Sequence, residues 1–205
     1  MKKTIIYIHG GNSYKSREEF LEHLRTVPLR EVLGEERPKR WPDSLATDLG
    51  EAYQVYQPVM PNKQNASYEE WKIWFLRYVE LVKDTVILVG WSQGAWLLAK
   101  YLAENTPDLR IDAVFLIAGP SGLVAESGGD NPEWAFDLNQ LRQRLEMGGV
   151  KTYIFHSKDD PVVPYSHAVA YKIAIPQAEL VTFTDKGHFL VPELPELIRA
   201  IKEIS

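Results

Sequence analysis

The sequence predicts an α/β fold, doubly wound, with a mostly parallel sheet and helices on both faces. Three observations carry this. Apolar, branched runs alternate with helix-like stretches from end to end. The strand-like runs are nearly continuous in apolar residues, as in "VILVG" at 86–90, which suits strands covered on both faces. Right-handed crossovers put every strand's C-terminal end on one edge of such a sheet, and a serine, acids and a histidine all fall just after strands.

The elements follow in order. Residues 3–9 read as a buried strand. Ser16 and Glu19 form a capping box opening a helix expected to run to about Val32. Residues 34–42, charged and holding two prolines, read as loop, and 43–50 as a short helix capped by Asp43. Residues 52–59 read as strand. Ser67 and Glu70 form a second capping box, after which Trp71, Trp74, Phe75, Tyr78 and Val82 recur at helical spacing, a stripe best read as core packing. Strand 86–90 leads into helix 93–104, and 112–118 is strand again. A Gly-rich stretch (119–132) precedes an amphipathic helix at 132–147. Strand 151–156, helix 166–174, strand 179–184 and helix 193–204 complete the chain.

Composition narrows the function. A chain of 205 residues fits one domain. The net charge of −5, with no long run of one sign, argues against nucleic-acid and anionic-membrane partners, and the partner expected from the loop chemistry below is a small-molecule substrate. Cysteine is absent, which removes disulfides, thiolate zinc sites and cysteine nucleophiles. The apolar run behind Lys2 and Lys3 spans only residues 5–8, too short for a signal peptide, and no segment reaches transmembrane length. A cytoplasmic location is the resulting expectation.

The loops carry the chemistry. Gly90-Trp91-Ser92-Gln93-Gly94 joins strand to helix. A turn that sharp strains its corner residue and needs neighbours without side chains, leaving Ser92 at the tip by the positive end of the following helix. The Gly-x-x-x-x-Gly-Lys pattern of a phosphate loop is missing. An alcohol nucleophile needs a base. Among five histidines, His167 and His23 fall inside helices, His156 ends a strand beside the acid loop, and His9 shapes a glycine turn. The order serine, acid, histidine singles out His188. Asp159, Asp160 and Asp185 are the candidate acids, with Asp185 read as a turn residue. Pro161 favours an extended Asp160, so only one of the adjacent pair can face the histidine. Gln93 N–H is one expected oxyanion donor, and Gly11, with Asn12 as alternative, is the other. Asn12, Trp91 and Trp134 are candidates for the substrate pocket.

"YIHGGNS", "VILVGWSQGAWLLAKYL", "HSKDDPVVPYSHA" and "FTDKGHF" together resemble the α/β-hydrolase superfamily. More narrowly, the chain is similar to the small serine hydrolases related to retinoblastoma-binding protein nine and the bacterial YdeN-like proteins. The resemblance implies a minimal α/β-hydrolase fold with six strands in the order 2-1-3-4-5-6. It implies Ser92, Asp160 and His188 as a triad, the acid being the one directly before proline. Relatives often carry Pro-Gly where this chain has His-Gly-Gly. The larger enzymes insert a lid between the fourth and fifth strands, so residues 119–149 leave room for a small cap of one helix at most. The expected function is cleavage of a small ester, thioester or amide through an acyl-Ser92 intermediate, with no cofactor. Two other readings compete: an idle binding module on the same fold, and a metal-dependent hydrolase using His9, His156, Asp160 and His188, whose spacing fits no recognised site.

Overall fold

The computed structural model describes residues 2–29, 38–106, 108–122 and 131–204. Six strands form one parallel sheet: β1 (Lys3–Ile8), β2 (Tyr53–Tyr56), β3 (Thr85–Trp91), β4 (Arg110–Ile117), β5 (Lys151–Ser157) and β6 (Glu179–Phe183). Their order is β2-β1-β3-β4-β5-β6, as the resemblance implied. Register pairs Ile8 with Gly90, Trp91 with Ile117 and Ser157 with Phe183, so the strand ends and their loops line one edge.

Alternation along the strands builds two cores. Ile6, Ile8, Val86, Leu88, Val114, Leu116 and Ile154 face one layer. It holds helices α3 (Tyr68–Val79), α4 (Gln93–Glu104), α5 (Leu138–Gly148) and α6 (Ser166–Ala174). Ile5, Tyr7, Ile87, Val89, Phe115, Ile117 and Phe155 face the other layer, with α2 (Leu45–Leu49) and α7 (Pro195–Lys202). Helix α4 sits centrally: every residue from Gln93 to Ala103 is buried. Truncating a side chain there, as in Leu97→Ala, removes about 2–5 kcal/mol.

Several expectations need correcting. Helix α1 (Arg17–Thr26) starts as expected, Ser16 Oγ accepting the Glu19 N–H at 3.1 Å. Glu19 completes no box, because its carboxylate accepts from Lys15 instead. The helix stops at Thr26 because Pro28 follows Val27, which is extended at φ −60°, ψ 130°. The rest of the stretch to Val32 lies partly outside the described residues. Asp43 closes a 3-10 turn over Trp41–Asp43, and α2 begins two residues later.

The second box also fails. Ser67 makes no cap bond to α3. Glu133 takes the role from 66 residues away: its carboxylate accepts from Ser67 Oγ (2.8 Å) and the Tyr68 N–H (2.7 Å). A remote carboxylate at a helix N-terminus satisfies both the orphan N–H and the dipole. The aromatic stripe is core where expected, at Trp71 and Phe75, while Trp74 is exposed.

The helix expected as a cap is α5, which starts at Leu138 and buries Leu141 and Leu145. It is the ordinary β4–β5 crossover, packed on α4, and Gly149 ends it in the left-handed conformation (φ 60°). Residues 123–130 of that interval lie outside the described ones. Among the described residues no helix is long and apolar enough to cross a membrane.

Candidate active site

Ser92 sits between β3 and α4 at φ 54°, ψ −117°. A non-glycine residue there carries strain on the order of 1–3 kcal/mol and persists only where its surroundings dictate it. They do so here. The Ser92 N–H donates to Ile117 O at 2.8 Å, and Ser92 O accepts from Trp96 N–H at 3.1 Å. The flanking glycines are required. A Cβ on Gly90 would stand 2.6 Å from the Ala95 backbone, and one on Gly94 would collide with the Ile8 carbonyl. This is the clearance expected from the sequence.

His188 reaches this corner from the loop after β6. Its Nε2 lies 2.9 Å from Ser92 Oγ, and its Nδ1 lies 2.8 Å from Asp160 Oδ2 and 3.1 Å from Oδ1. A carboxylate only accepts, so the proton is on Nδ1 and Nε2 is left to accept from the serine hydroxyl. The loop is anchored on either side of the histidine. Phe189 is fully buried among core aromatics. Trp91 Nε1–H donates to His188 O at 3.0 Å, its ring 5.7 Å from the imidazole.

Asp160 is enclosed, and Oδ1 also accepts from Val162 N–H (2.8 Å) and Val163 N–H (3.0 Å). Burial pushes its pKa up. The bonds from His188 and those two amides outweigh burial and hold the carboxyl below its ordinary value. Asp159 faces elsewhere: Oδ1 accepts from Ser157 Oγ and from Gly187 N–H, the latter at 3.0 Å. The Ser157 bond leads in holding its pKa low, with the Gly187 bond adding to it against desolvation. Asp185 is exposed and takes no part.

The other histidines are structural. His156, fully buried, donates from Nε2 to Val163 O (2.8 Å) behind the acid, and burial lowers its pKa. His9 Nε2 accepts the Met60 N–H (2.9 Å), so its proton is on Nδ1, toward Gly10 O. Buried His167 accepts the Ser121 N–H (3.1 Å), and His23 lies on α1 against Tyr14. Among the described residues no three His, Asp or Glu side chains are grouped to hold a metal ion.

As the first residue of α4, Gln93 has an N–H that no preceding helical turn can engage. Of the two residues weighed for the second donor, Asn12 has its N–H bonded to Lys63 O at 2.9 Å, which leaves Gly11. Gly11 has no room for a side chain, a Cβ there standing 2.8 Å from Lys63 O.

A cleft of about 150 Å3 adjoins Ser92, lined by Gly11, Asn12, Tyr14, Gln93, Trp96, Pro120, Val162 and Val163. Two sequence-predicted pocket residues are not in it. Trp134 is 0% exposed, packed edge-on against Trp71 and beside Trp96, so it supports the wall from behind. Trp91 is on the His188 side and lines a different cleft. Trp96 was missed, although it stands one helical turn after Ser92 and so shares its face of α4. Val162 and Val163, just beyond the acid, were missed as well.

A strained serine after the third strand, a histidine after the last and an acid after the fifth define the α/β-hydrolase class of site. The chain belongs to the serine hydrolase family, whose sequence profile matches residues 32–194. It is 27% identical to rat (Rattus norvegicus) serine hydrolase RBBP9 over 125 residues, 59% of this chain and 62% of the rat protein. The chain thus matches about six-tenths of that relative's length. The ydeN gene product of B. subtilis superposes with a TM-score of 0.67 at 19% identity, covering 99% of this chain and 98% of that one. A YdeN-like hydrolase of Pectobacterium atrosepticum gives 0.62 at 16% identity, covering 99% and 90%. At these identities the structural likeness concerns the fold.

Proposed function

We propose that this chain cleaves small esters, thioesters or amides through a covalent acyl-Ser92 intermediate. The observation that carries the reading is the unbroken path from Ser92 Oγ through His188 (2.9 Å) to Asp160 (2.8 Å). In the proposed reaction Ser92 Oγ attacks the substrate carbonyl carbon while His188 Nε2 takes the hydroxyl proton. Asp160 holds the Nδ1–H tautomer and stabilises the imidazolium. The N–H groups of Gln93 and Gly11 receive the developing oxyanion. His188 then passes its proton to the leaving oxygen, nitrogen or sulfur, and that bond breaks. Water, deprotonated by the same imidazole, releases the acid and restores Ser92. The cleft of about 150 Å3 is small beside the roughly 300–1,000 Å3 of drug-sized pockets, which favours short acyl groups.

Intact-protein mass spectrometry after treatment with a fluorophosphonate tests the reading. One adduct per chain, mapped to Ser92, is expected. Labelling of folded protein at another serine, or none, would remove Ser92 from the mechanism.

A further inference from the structure

A second cleft, of about 520 Å3, opens beside the first. Its walls include His9, Gly10, Arg40, Asp43, Lys63 and Trp91. Gly10 and Trp91 connect it to the reacting centre. A Cβ built on Gly10 would stand 3.2 Å from the Ser92 Cβ and 3.5 Å from the Trp91 ring. Trp91 in turn holds the His188 carbonyl and lies alongside its imidazole.

The charge of this cleft runs against that of the chain. The chain carries a net −5. Here Arg40 and Lys63 face one acid, Asp43, for a net of +1 among the described lining residues. The Asp43 carboxylate accepts the Arg40 backbone N–H at 2.9 Å. His9 adds no charge: its Nε2 accepts the Met60 N–H, and burial, with Lys63 nearby, keeps the imidazole below its ordinary pKa. Two cationic residues on different loops lining one cleft of an acidic protein make a local field for an anion.

Given the acyl-Ser92 reading, on which this rests, the position of the cleft says which part of a substrate it meets. His188 must hand its proton to the leaving atom, so the leaving portion passes the imidazole. Trp91 stands 5.7 Å from that imidazole and forms a wall of this cleft but not of the 150 Å3 one. We propose that the Arg40–Lys63 cleft binds a carboxylate on the leaving portion, making the preferred substrates short-acyl esters or amides of a carboxylate-bearing alcohol or amine. The planar guanidinium fork of Arg40 suits a carboxylate, and a single negative charge balances the net +1.

The test compares 4-(butanoyloxy)benzoate with its methyl ester. The acyl group is shared, and the neutral compound has the better leaving phenol, so chemistry alone favours it. The wild-type protein is expected to cleave the carboxylate with kcat/KM higher by about five- to tenfold, the size of a part-exposed charge-assisted contact. Added salt should shrink that ratio, and the double variant Arg40→Gln, Lys63→Gln should bring it toward or below one. Using a ratio cancels any loss of folded protein in the variant. A wild-type ratio at or below one overturns the inference, as does a high ratio that survives in the variant. Fluorophosphonate labelling at Ser92 without cleavage of either ester overturns this inference alone. Absence of both labelling and cleavage overturns the hydrolase reading together with it.

Discussion

Replacing Asp160 by Asn isolates what the buried carboxylate does. The side chain keeps its shape, and Oδ1 can still accept from the Val162 and Val163 N–H groups at 2.8 and 3.0 Å, so the loop should hold. Only the atom at the Oδ2 position changes, from an acceptor 2.8 Å from His188 Nδ1 to an amide donor. His188 must then accept through Nδ1, which moves its proton to Nε2. Nε2, 2.9 Å from Ser92 Oγ, can no longer take the serine proton. Loss of the orienting acid in this way lowers kcat by about 10³–10⁴ in other triads. Asp159→Asn is the control. Its acceptor Oδ1 survives, so the bonds from Ser157 and Gly187 can persist, and a cost of about tenfold or less is expected. The assay is kcat on a short p-nitrophenyl ester for both variants, with folded protein counted by circular dichroism. A reversed ranking, or Asp160→Asn within tenfold of wild type, would refute the reasoning.

Ser92→Gly should abolish turnover yet raise the thermal midpoint, because glycine tolerates φ 54° where serine is strained; a gain on the order of 1 kcal/mol is expected by calorimetry. Acetyl and butyryl p-nitrophenyl esters should be cleaved faster than octanoyl or longer ones, as the cleft of about 150 Å3 at Ser92 requires; a rate rising with chain length above about eight carbons contradicts this. Asp160 has a native pKa below its ordinary 3.8, so its stabilising contribution is present above that value. It fades as pH falls from about 4 through the native pKa, and acid-unfolding curves of Asp160→Asn should be flatter there than wild type.

The layers and the positions of Ser92 and His188 were legible because local rules and global fold agree there, while the strand order and the choice of Asp160 over Asp159 came from the family resemblance. Branched runs make central strands, and Gly-x-Ser-x-Gly makes a corner. What escaped the sequence depends on distant partners. Ser67 and Glu70 carry the local signature of a box, yet Glu133 comes from another loop and takes the Ser67 hydroxyl and the Tyr68 N–H at the same helix end. Trp134 falls within the 119–149 interval that reads as a small cap, just after its Gly-rich part, and its indole packs in the core instead. No spacing rule reports either contact, because each is fixed only once the sheet has brought the loops together. Trp96 is different: its place one turn after the serine was available from helical geometry.

The site's three side chains come from loops after three different strands, and the bracing between those loops explains how they stay within hydrogen-bond reach. Ser157 Oγ, at the end of β5, accepts the Lys186 N–H at 3.1 Å, and Asp159 accepts the Gly187 N–H at 3.0 Å. These bonds fasten the acid loop to the histidine loop without using Asp160. Trp91, the neighbour of the strained serine, holds the His188 carbonyl at 3.0 Å and so fastens the histidine loop to the elbow. Each brace lands within two residues of His188 yet leaves both its ring nitrogens free for chemistry. That division of labour accounts for two adjacent aspartates with different partners. It also accounts for a tryptophan expected to touch substrate serving first to position the base. Trp91→Phe keeps an aromatic side chain but removes the N–H donor, so it should lower kcat more than it raises KM; a change confined to KM would leave Trp91 only the role of a wall of the leaving-group cleft.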